Sequence, residues 1–346
     1  MTSETNADRL ERMYQGFMAA DVRPLWRESG LLPQTPRTIR PHLWRWATIR
    51  GLAEQAGALV SVDRGGDRRV LALAHPDLQG KPFATPTLWA AIQFLNGHET
   101  APPHRHSPGA LRFVIEGTGV WTLVNGDPVL MEPGDLVLTP SFNWHAHDNP
   151  TDQPMIWFDG LDLPMVQSLD AVFFEEGPDE LGPYETLATS HSEQLYAGPG
   201  LLRVSEAMQE SSPIRSSPLL AYRWAATDRA LDAALSQTKE QSVLLRFTDP
   251  TTGGDVMPTL RAEMLRVQAS GGTRRQRKVG SSVVLVYRGA GTSIVGDKEL
   301  SWSRGDVFVV PSWQTAEHHA DAVSDLFVLS DSPVLERIGL ERRELL

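Results

Sequence analysis

The chain has 346 residues, 41% hydrophobic and 22% charged, which is enough apolar material for two packed domains and argues against intrinsic disorder. Its formal net charge of -11 excludes a general affinity for nucleic acid or anionic lipid, since both require a basic face. Cysteine is absent, which excludes disulfides, thiolate nucleophiles, iron-sulfur clusters and cysteine zinc sites, so any metal must be held by nitrogen and oxygen.

At the N-terminus acids and bases are mixed and no apolar h-region occurs, nor does any 18-residue apolar run follow; the expectation is a cytoplasmic protein without membrane contact. Leu10, Met13, Phe17 and Met18 lie at helical spacing until Pro24 interrupts the pattern, and a second helix is expected around Ile49 to Gly57. Residues 1–60 are thus read as a helical arm, whose Trp26, Trp44 and Trp46 cover a barrel or a subunit contact. From about residue 67 the texture changes to short alternating segments bounded by Gly, Pro, Asn and Asp: 68–76, 87–97, 110–119, 120–129, 135–140 and 154–162. Many short strands with such turn signals predict an all-β sandwich or barrel, assigned to residues 61–170. Residues 171–235, rich in Glu, Pro, Ser and Gly, read as an inter-domain connection with a helix near Asp228 to Leu235. Strand-like segments return at 262–270, 282–289, 292–297, 306–311 and 325–330, giving a second β domain over 236–346.

The two β regions match each other in order: strand, Gly-x-Gly, strand, turn, Gly-Asp, apolar strand, Pro-Ser. The Gly117 to Gly134 interval differs by one residue from Gly289 to Gly305, and Gly134 to Pro140 equals Gly305 to Pro311. An internal duplication explains this economically.

In the first copy His104-Arg105-His106 precedes one strand, and His145-Ala146-His147 follows another. A His-x-His pair on a strand puts both rings on one face, because side chains alternate, and a third His from a neighbouring strand can close a set of nitrogen ligands. One such pair is weak; two pairs inside a repeated barrel unit are much stronger. The second copy aligns Gln276 and Lys278 with His104 and His106, and Ala316 with His145, so none of the three survives there. His318 aligns with His147 and is expected to be an ordinary surface or core residue.

These runs, Gly97 to His106 and Gly134-x5-Pro140-x4-His145-x3-Asn149, resemble the two cupin motifs, and the duplication makes the chain similar to a bicupin. More narrowly, LWAAIQFL, HRHS, ALRFVIEG, VNGDPV and the run from GDLVLTP to WFDGLD resemble the gentisate, salicylate and 1-hydroxy-2-naphthoate dioxygenases, over nearly the whole chain from Arg68 to Leu340. That resemblance implies two double-stranded β-helix jelly-roll barrels with flanking helices. It also implies Fe(II) on His104, His106 and His145, dioxygen as co-substrate, a homotetramer, and a role in aromatic catabolism. Many cupins place a Glu four or five residues after the second His, but Ala110 and Leu111 stand there. Three neutral imidazoles leave the metal charge uncompensated, which suits a dianionic chelating substrate and oxygen activation.

Strand parity and the resemblance together nominate a substrate shell. Counting in twos from His106 reaches Arg112, which either binds a substrate carboxylate or pairs with Glu116 or Asp159. Arg68 is preferred to Arg69 as a second carboxylate contact, because its face also carries the small Val70 and Ala72. Trp89 and Gln93 share a face and are read as stacking and hydrogen-bonding contacts, with plain packing as the alternative. By parity with His145, His147 is a fourth ligand, a group supporting the ligands or a proton acceptor for a ring hydroxyl; the family places a substrate-contacting His there, and lifts Asp159, in a Phe-Asp-Gly turn signal, to a partner of His147 or of the substrate. The expected reaction is cleavage of gentisate to maleylpyruvate. The alternatives are a salicylate or 1-hydroxy-2-naphthoate 1,2-dioxygenase, and a non-enzymatic ligand-binding or storage bicupin.

Overall fold

The structure is a computed structural model that describes residues 5–36, 39–61, 69–178, 181–198 and 216–346. It has two units, Met1–Arg37 and Thr38–Leu346. In the first, the helix Asn6–Ala19 starts at a capping box in which Thr5 and Asp8 bond each other's backbone N–H. Trp26 donates from Nε1 to Tyr14 Oη at 3.2 Å and meets Phe17 edge-on. Among the described residues no helix is long and apolar enough to cross a membrane.

Among the described residues the second unit holds four antiparallel sheets that repeat one plan twice. In the first copy a six-stranded sheet runs Ala221–Tyr222, Leu136–Thr139, Ala110–Glu116, Met155–Leu161, Trp89–Leu95, Val70–Ala72. It faces a five-stranded sheet ordered Phe174–Glu176, Thr100–His106, His145–Asp148, Val120–Val124, Asp127–Met131. The second copy orders its six strands Leu43–Trp44, Val307–Val310, Ser282–Arg288, Ser324–Ser330, Arg261–Val267, Ser242–Arg246. Its five-stranded sheet ends on Gln276–Lys278 and Arg343–Leu345, the place that Thr100–His106 and Phe174–Glu176 hold in the first. Two jelly-roll barrels result, as the resemblance implied.

The six-stranded sheets pack against each other by their outer faces. Leu111, Phe113, Ile115, Ile156 and Phe158 point outward from the first barrel and are still fully buried. Phe113 stacks on Phe327 of the second barrel with centroids 4.4 Å apart. Strands covered on both faces read as continuous apolar runs, which is why 110–116 and 282–288 carry so few polar residues.

Each barrel also borrows one strand from the segment that precedes the other. Leu43–Trp44, from the expected arm, pairs with Val307–Phe308, whereas Ala221–Tyr222, from the expected connection, pairs with Leu136–Val137. A helix follows each borrowed strand, Trp46–Leu59 and Trp224–Ser236, and the junctions are alike. Arg45 donates to Asp306 Oδ2 at 2.9 Å while Trp46 N donates to Oδ1 of the same carboxylate. Arg223 does the same to Asp135 at 2.6 Å, with Trp224 N on its Oδ1. The glycine before each Asp is required twice over: Gly134 and Gly305 have φ near +87° and +86°, and a Cβ there would lie 2.6 and 2.3 Å from the Trp224 and Trp46 rings. The repeated Gly-Asp of the sequence is thus the socket for an Arg-Trp clasp.

Removing the socket's carboxylate leaves an unsatisfied helix N–H in both barrels, beside a mostly buried guanidinium at Arg223 and an exposed one at Arg45. Asp135→Ala is expected to lower unfolding free energy by on the order of 3 kcal/mol and Asp306→Ala by about 1 to 2 kcal/mol in a denaturant titration. A loss below about 0.5 kcal/mol in both would show that the clasp is incidental.

Candidate metal centre

A β-bulge brings the histidines to one face. In the ladder between Thr100–His106 and His145–Asp148, Ala101 lies opposite His147 and His104 opposite His145. Three steps on one strand therefore match two on the other. Pro102 and Pro103 occupy the extra position, and since proline has no N–H, no ladder donor is lost there. Without the bulge, His104 would point to the opposite face from His145.

Three rings are then fixed in the same way. Nδ1 of His104, His106 and His145 lies 3.3, 2.7 and 3.0 Å from the carbonyl oxygens of Pro102, Pro108 and Asn143, each two residues away. A carbonyl only accepts, so each Nδ1 carries a proton, and in the neutral ring the lone pair is on Nε2. One ring nitrogen from each of the three falls within 4.8 Å of the others. Burial first, then the charge of Arg112, pushes His145 well below the ordinary imidazole pKa, so it is neutral at neutral pH. His145 Nε2 is fully buried and makes no hydrogen bond to the described residues. Three converging neutral lone pairs, one of them buried without a donor, fit a divalent transition metal that prefers imidazole. Among the described residues no carboxylate belongs to this cluster.

Arg112, Asp159, Gln93 and Trp89 lie on the six-stranded sheet opposite the histidines. Arg112 is 3% exposed; Nη1 donates to Thr139 Oγ1, and Nε lies 3.4 Å from Asp159 Oδ1 without hydrogen-bond alignment. Burial pushes this guanidinium's pKa down and Asp159 opposes the shift. A buried cation with one loosely aligned counter-charge retains donors for an anion. Arg112 faces the interior and pairs with Asp159 rather than with Glu116, which binds Arg50 at 3.0 Å. Asp159 lies in the strand Met155–Leu161 and not in a turn, directly opposite Arg112, and accepts from Trp157 Nε1 at 3.2 Å. Gln93, opposite Trp157, is buried, and Trp89 shares its face at the barrel's edge and is half-buried. Arg68 lies outside the described residues. Its neighbour Arg69 is committed elsewhere, donating to the carbonyls of Gly57 and Val60 and pairing with Glu99.

Two neighbours of the centre were not singled out from the sequence. Phe174, in the expected connection, pairs across from His106, and its ring lies 5.6 Å from that of His104. Thr122 sits opposite His147, with Oγ1 2.9 Å from Nδ1. A signal for Thr122 did exist, because the second copy keeps a hydroxyl, Ser293, at the same place, 2.7 Å from His318 Nδ1. His318 thus takes the core side of the expectation, and burial pushes its pKa down to about 4.

The second barrel has no comparable centre. Gln276 lies opposite Ala316 as His104 lies opposite His145. By the same register Val284, Val328 and Leu265 replace Arg112, Asp159 and Gln93. Leu265, Val284, Val286, Trp302, Phe308 and Leu326 fill the interior as one apolar cluster.

Comparison with known proteins agrees with this geometry. Residues 91–161 match the cupin domain family. The chain is 48% identical over 351 residues to a gentisate 1,2-dioxygenase from Streptomyces sp, covering 99% of this chain and 97% of that protein. It is 35% identical over 346 residues to a 5-aminosalicylate 1,2-dioxygenase from Comamonas sp, covering 97% and 90%. Among solved structures, salicylate 1,2-dioxygenase from Pseudoaminobacter salicylatoxidans, determined as adducts with gentisate, superposes with a TM-score of 0.94 at 44% identity, covering 99% and 96%.

Metal retention should follow the three nitrogens. His104→Ala, His106→Ala and His145→Ala are each expected to emerge from gel filtration without the roughly one metal ion per chain that the parent carries, because three ligands leave no redundancy. Gln276→Ala and Lys278→Ala should retain it in full. A second tightly held ion per chain, lost in those two variants, would contradict the assignment of the second barrel.

Proposed function

Because the chain belongs to the cupin 1,2-dioxygenases that cleave the ring of hydroxylated aromatic acids, we propose that it opens gentisate to maleylpyruvate, with iron(II) on His104, His106 and His145. The observation that carries the choice is the pairing of a carboxylate-free, three-imidazole cluster with a buried arginine on the facing wall. Iron(II) bound there supplies the reducing power that activates dioxygen and a chelation point for the substrate's carboxylate and ortho hydroxyl.

The chain's own residues bind, orient and exclude water. Arg112 receives the substrate carboxylate through donors that Thr139 and Asp159 leave available, and Asp159 keeps the guanidinium charged and oriented. Arg68 is proposed as the second carboxylate contact, Gln93 as a hydrogen-bond donor to substrate or oxygen, and Trp89 as a stacking surface for the ring. His147 is proposed to meet a ring hydroxyl. The buried rings of Trp157 and His147, 5.2 Å apart, fill the pocket floor and keep bulk water from the reacting groups. Holding both reactants against one centre provides the proximity that the ring-opening step needs. The same reading makes the protein a cytoplasmic homotetramer.

Gentisate is favoured over salicylate because a second hydroxyl makes its ring more electron-rich, so cleavage demands less of a site with three neutral ligands. Oxygen uptake by the iron-loaded enzyme across a panel of hydroxybenzoates should be fastest with gentisate and slow or absent with salicylate. Faster turnover of 1-hydroxy-2-naphthoate would replace gentisate as the assignment, and no uptake with any of them would remove it. Arg112→Ala should keep its metal and lose at least about tenfold in kcat/KM, the loss expected for one charge-assisted contact.

A further inference from the structure

We propose that Thr122 and Met131 are positioning residues that fix His147 as a hydrogen-bond acceptor toward the metal pocket, and so select substrates with a ring hydroxyl on that side. The inference rests on the gentisate reading for its choice of substrates.

Both residues are fully buried, and Thr122 Oγ1 lies 2.9 Å from His147 Nδ1 and 3.1 Å from Met131 Sδ. A thioether can only accept, and a hydroxyl has a single proton to give. At 3.1 Å the oxygen and sulfur are closer than two atoms with no proton between them would sit, so Thr122 donates to Met131. Its oxygen then accepts from His147, which must carry its proton on Nδ1. In the neutral Nδ1–H tautomer that this bond selects, the remaining lone pair is on Nε2, at the edge turned away from Thr122. His147 shares its strand face with His145, whose ring centroid is 6.3 Å away, so that lone pair belongs to the pocket side.

In the second barrel the same pair has the opposite polarity. Ser293 lies opposite His318, but Trp302 holds the place of Met131, and its Nε1 donates to Ser293 Oγ at 2.8 Å. An indole N–H cannot accept, so the serine proton is not taken up by Trp302 and is free for His318 Nδ1, 2.7 Å away, an arrangement that places the proton of that ring on Nε2. The copy that carries the three-histidine cluster is the copy in which the neighbour accepts. An Nε2 lone pair attracts a phenolic hydroxyl; gentisate brings one beyond its chelating pair and salicylate does not.

Two readouts test this on the full-length chain. Anaerobic calorimetry of the iron-loaded enzyme with Thr122→Val should show gentisate binding weakened by about tenfold and salicylate binding within about twofold, with Thr122→Ser restoring gentisate to within about threefold of the parent. In the zinc-loaded protein, 15N spectra of labelled histidine should show His147 protonated on Nδ1, and Met131→Leu, which removes the acceptor, should move the proton to Nε2. Equal loss for both substrates in Thr122→Val, or a parent His147 protonated on Nε2, would overturn the proposal. A parent with the expected tautomer that fails to turn over gentisate would sink the functional reading alone and leave the hydrogen-bond assignment standing.

Discussion

Three hydrogen bonds from imidazole Nδ1 to main-chain carbonyls set the terms for the rest of the first barrel. Each fixes a tautomer, and together they aim three lone pairs at one point, an arrangement of like dipoles that is unfavourable until a cation enters it. The bulge at Pro102–Pro103 serves this geometry, since a regular strand would turn His104 outward. Because no carboxylate joins the cluster, a divalent ion keeps its full charge, and Arg112 adds another positive group on the facing wall. A chain of net charge -11 thereby encloses a locally positive pocket, which is where an anionic, chelating substrate gains most.

The two barrels share a frame and differ in their contents. Both keep the Gly-Asp socket, the borrowed strand and the Arg-Trp clasp, because the frame of either barrel is completed by the other. Only the first keeps the three-histidine cluster; the second replaces Arg112, Asp159 and Gln93 with Val284, Val328 and Leu265 and closes its interior with Trp302 and Phe308. An apolar filling stabilises the barrel, whereas a cavity lined by polar groups costs stability and is kept where it has a use. Thr122–His147 and Ser293–His318 are a remnant common to both, and Met131 against Trp302 separates their proton arrangements.

Much of this was legible in the sequence for local reasons. Alternation and turn residues gave the strands, the repeated Gly-Asp and Pro-Ser gave the duplication, and His-x-His at strand parity gave the cluster. Arg112 was reached by counting in twos from His106, although the chain leaves one sheet and enters the other between Ser107 and Gly109. What could not be read was non-local. Leu43–Trp44 and Ala221–Tyr222 are too short to show a period, and nothing in them says which barrel they join. Phe174 was lost in a Glu- and Pro-rich stretch because its three-residue strand is exposed and shows no apolar alternation. Asp159 read as a turn because Phe-Asp-Gly is turn chemistry; in the fold Arg112 directly opposite makes a buried strand carboxylate tolerable.

The central claim is that one iron site, in the first barrel alone, binds the substrate facing Arg112. Crystals of the iron-loaded protein soaked anaerobically with gentisate, measured at the iron absorption edge, test it most directly. The account predicts a single anomalous peak per chain at the meeting point of His104, His106 and His145, with the gentisate carboxylate in contact with Arg112. An anomalous peak between Gln276 and Lys278, or gentisate bound away from Arg112, would contradict it.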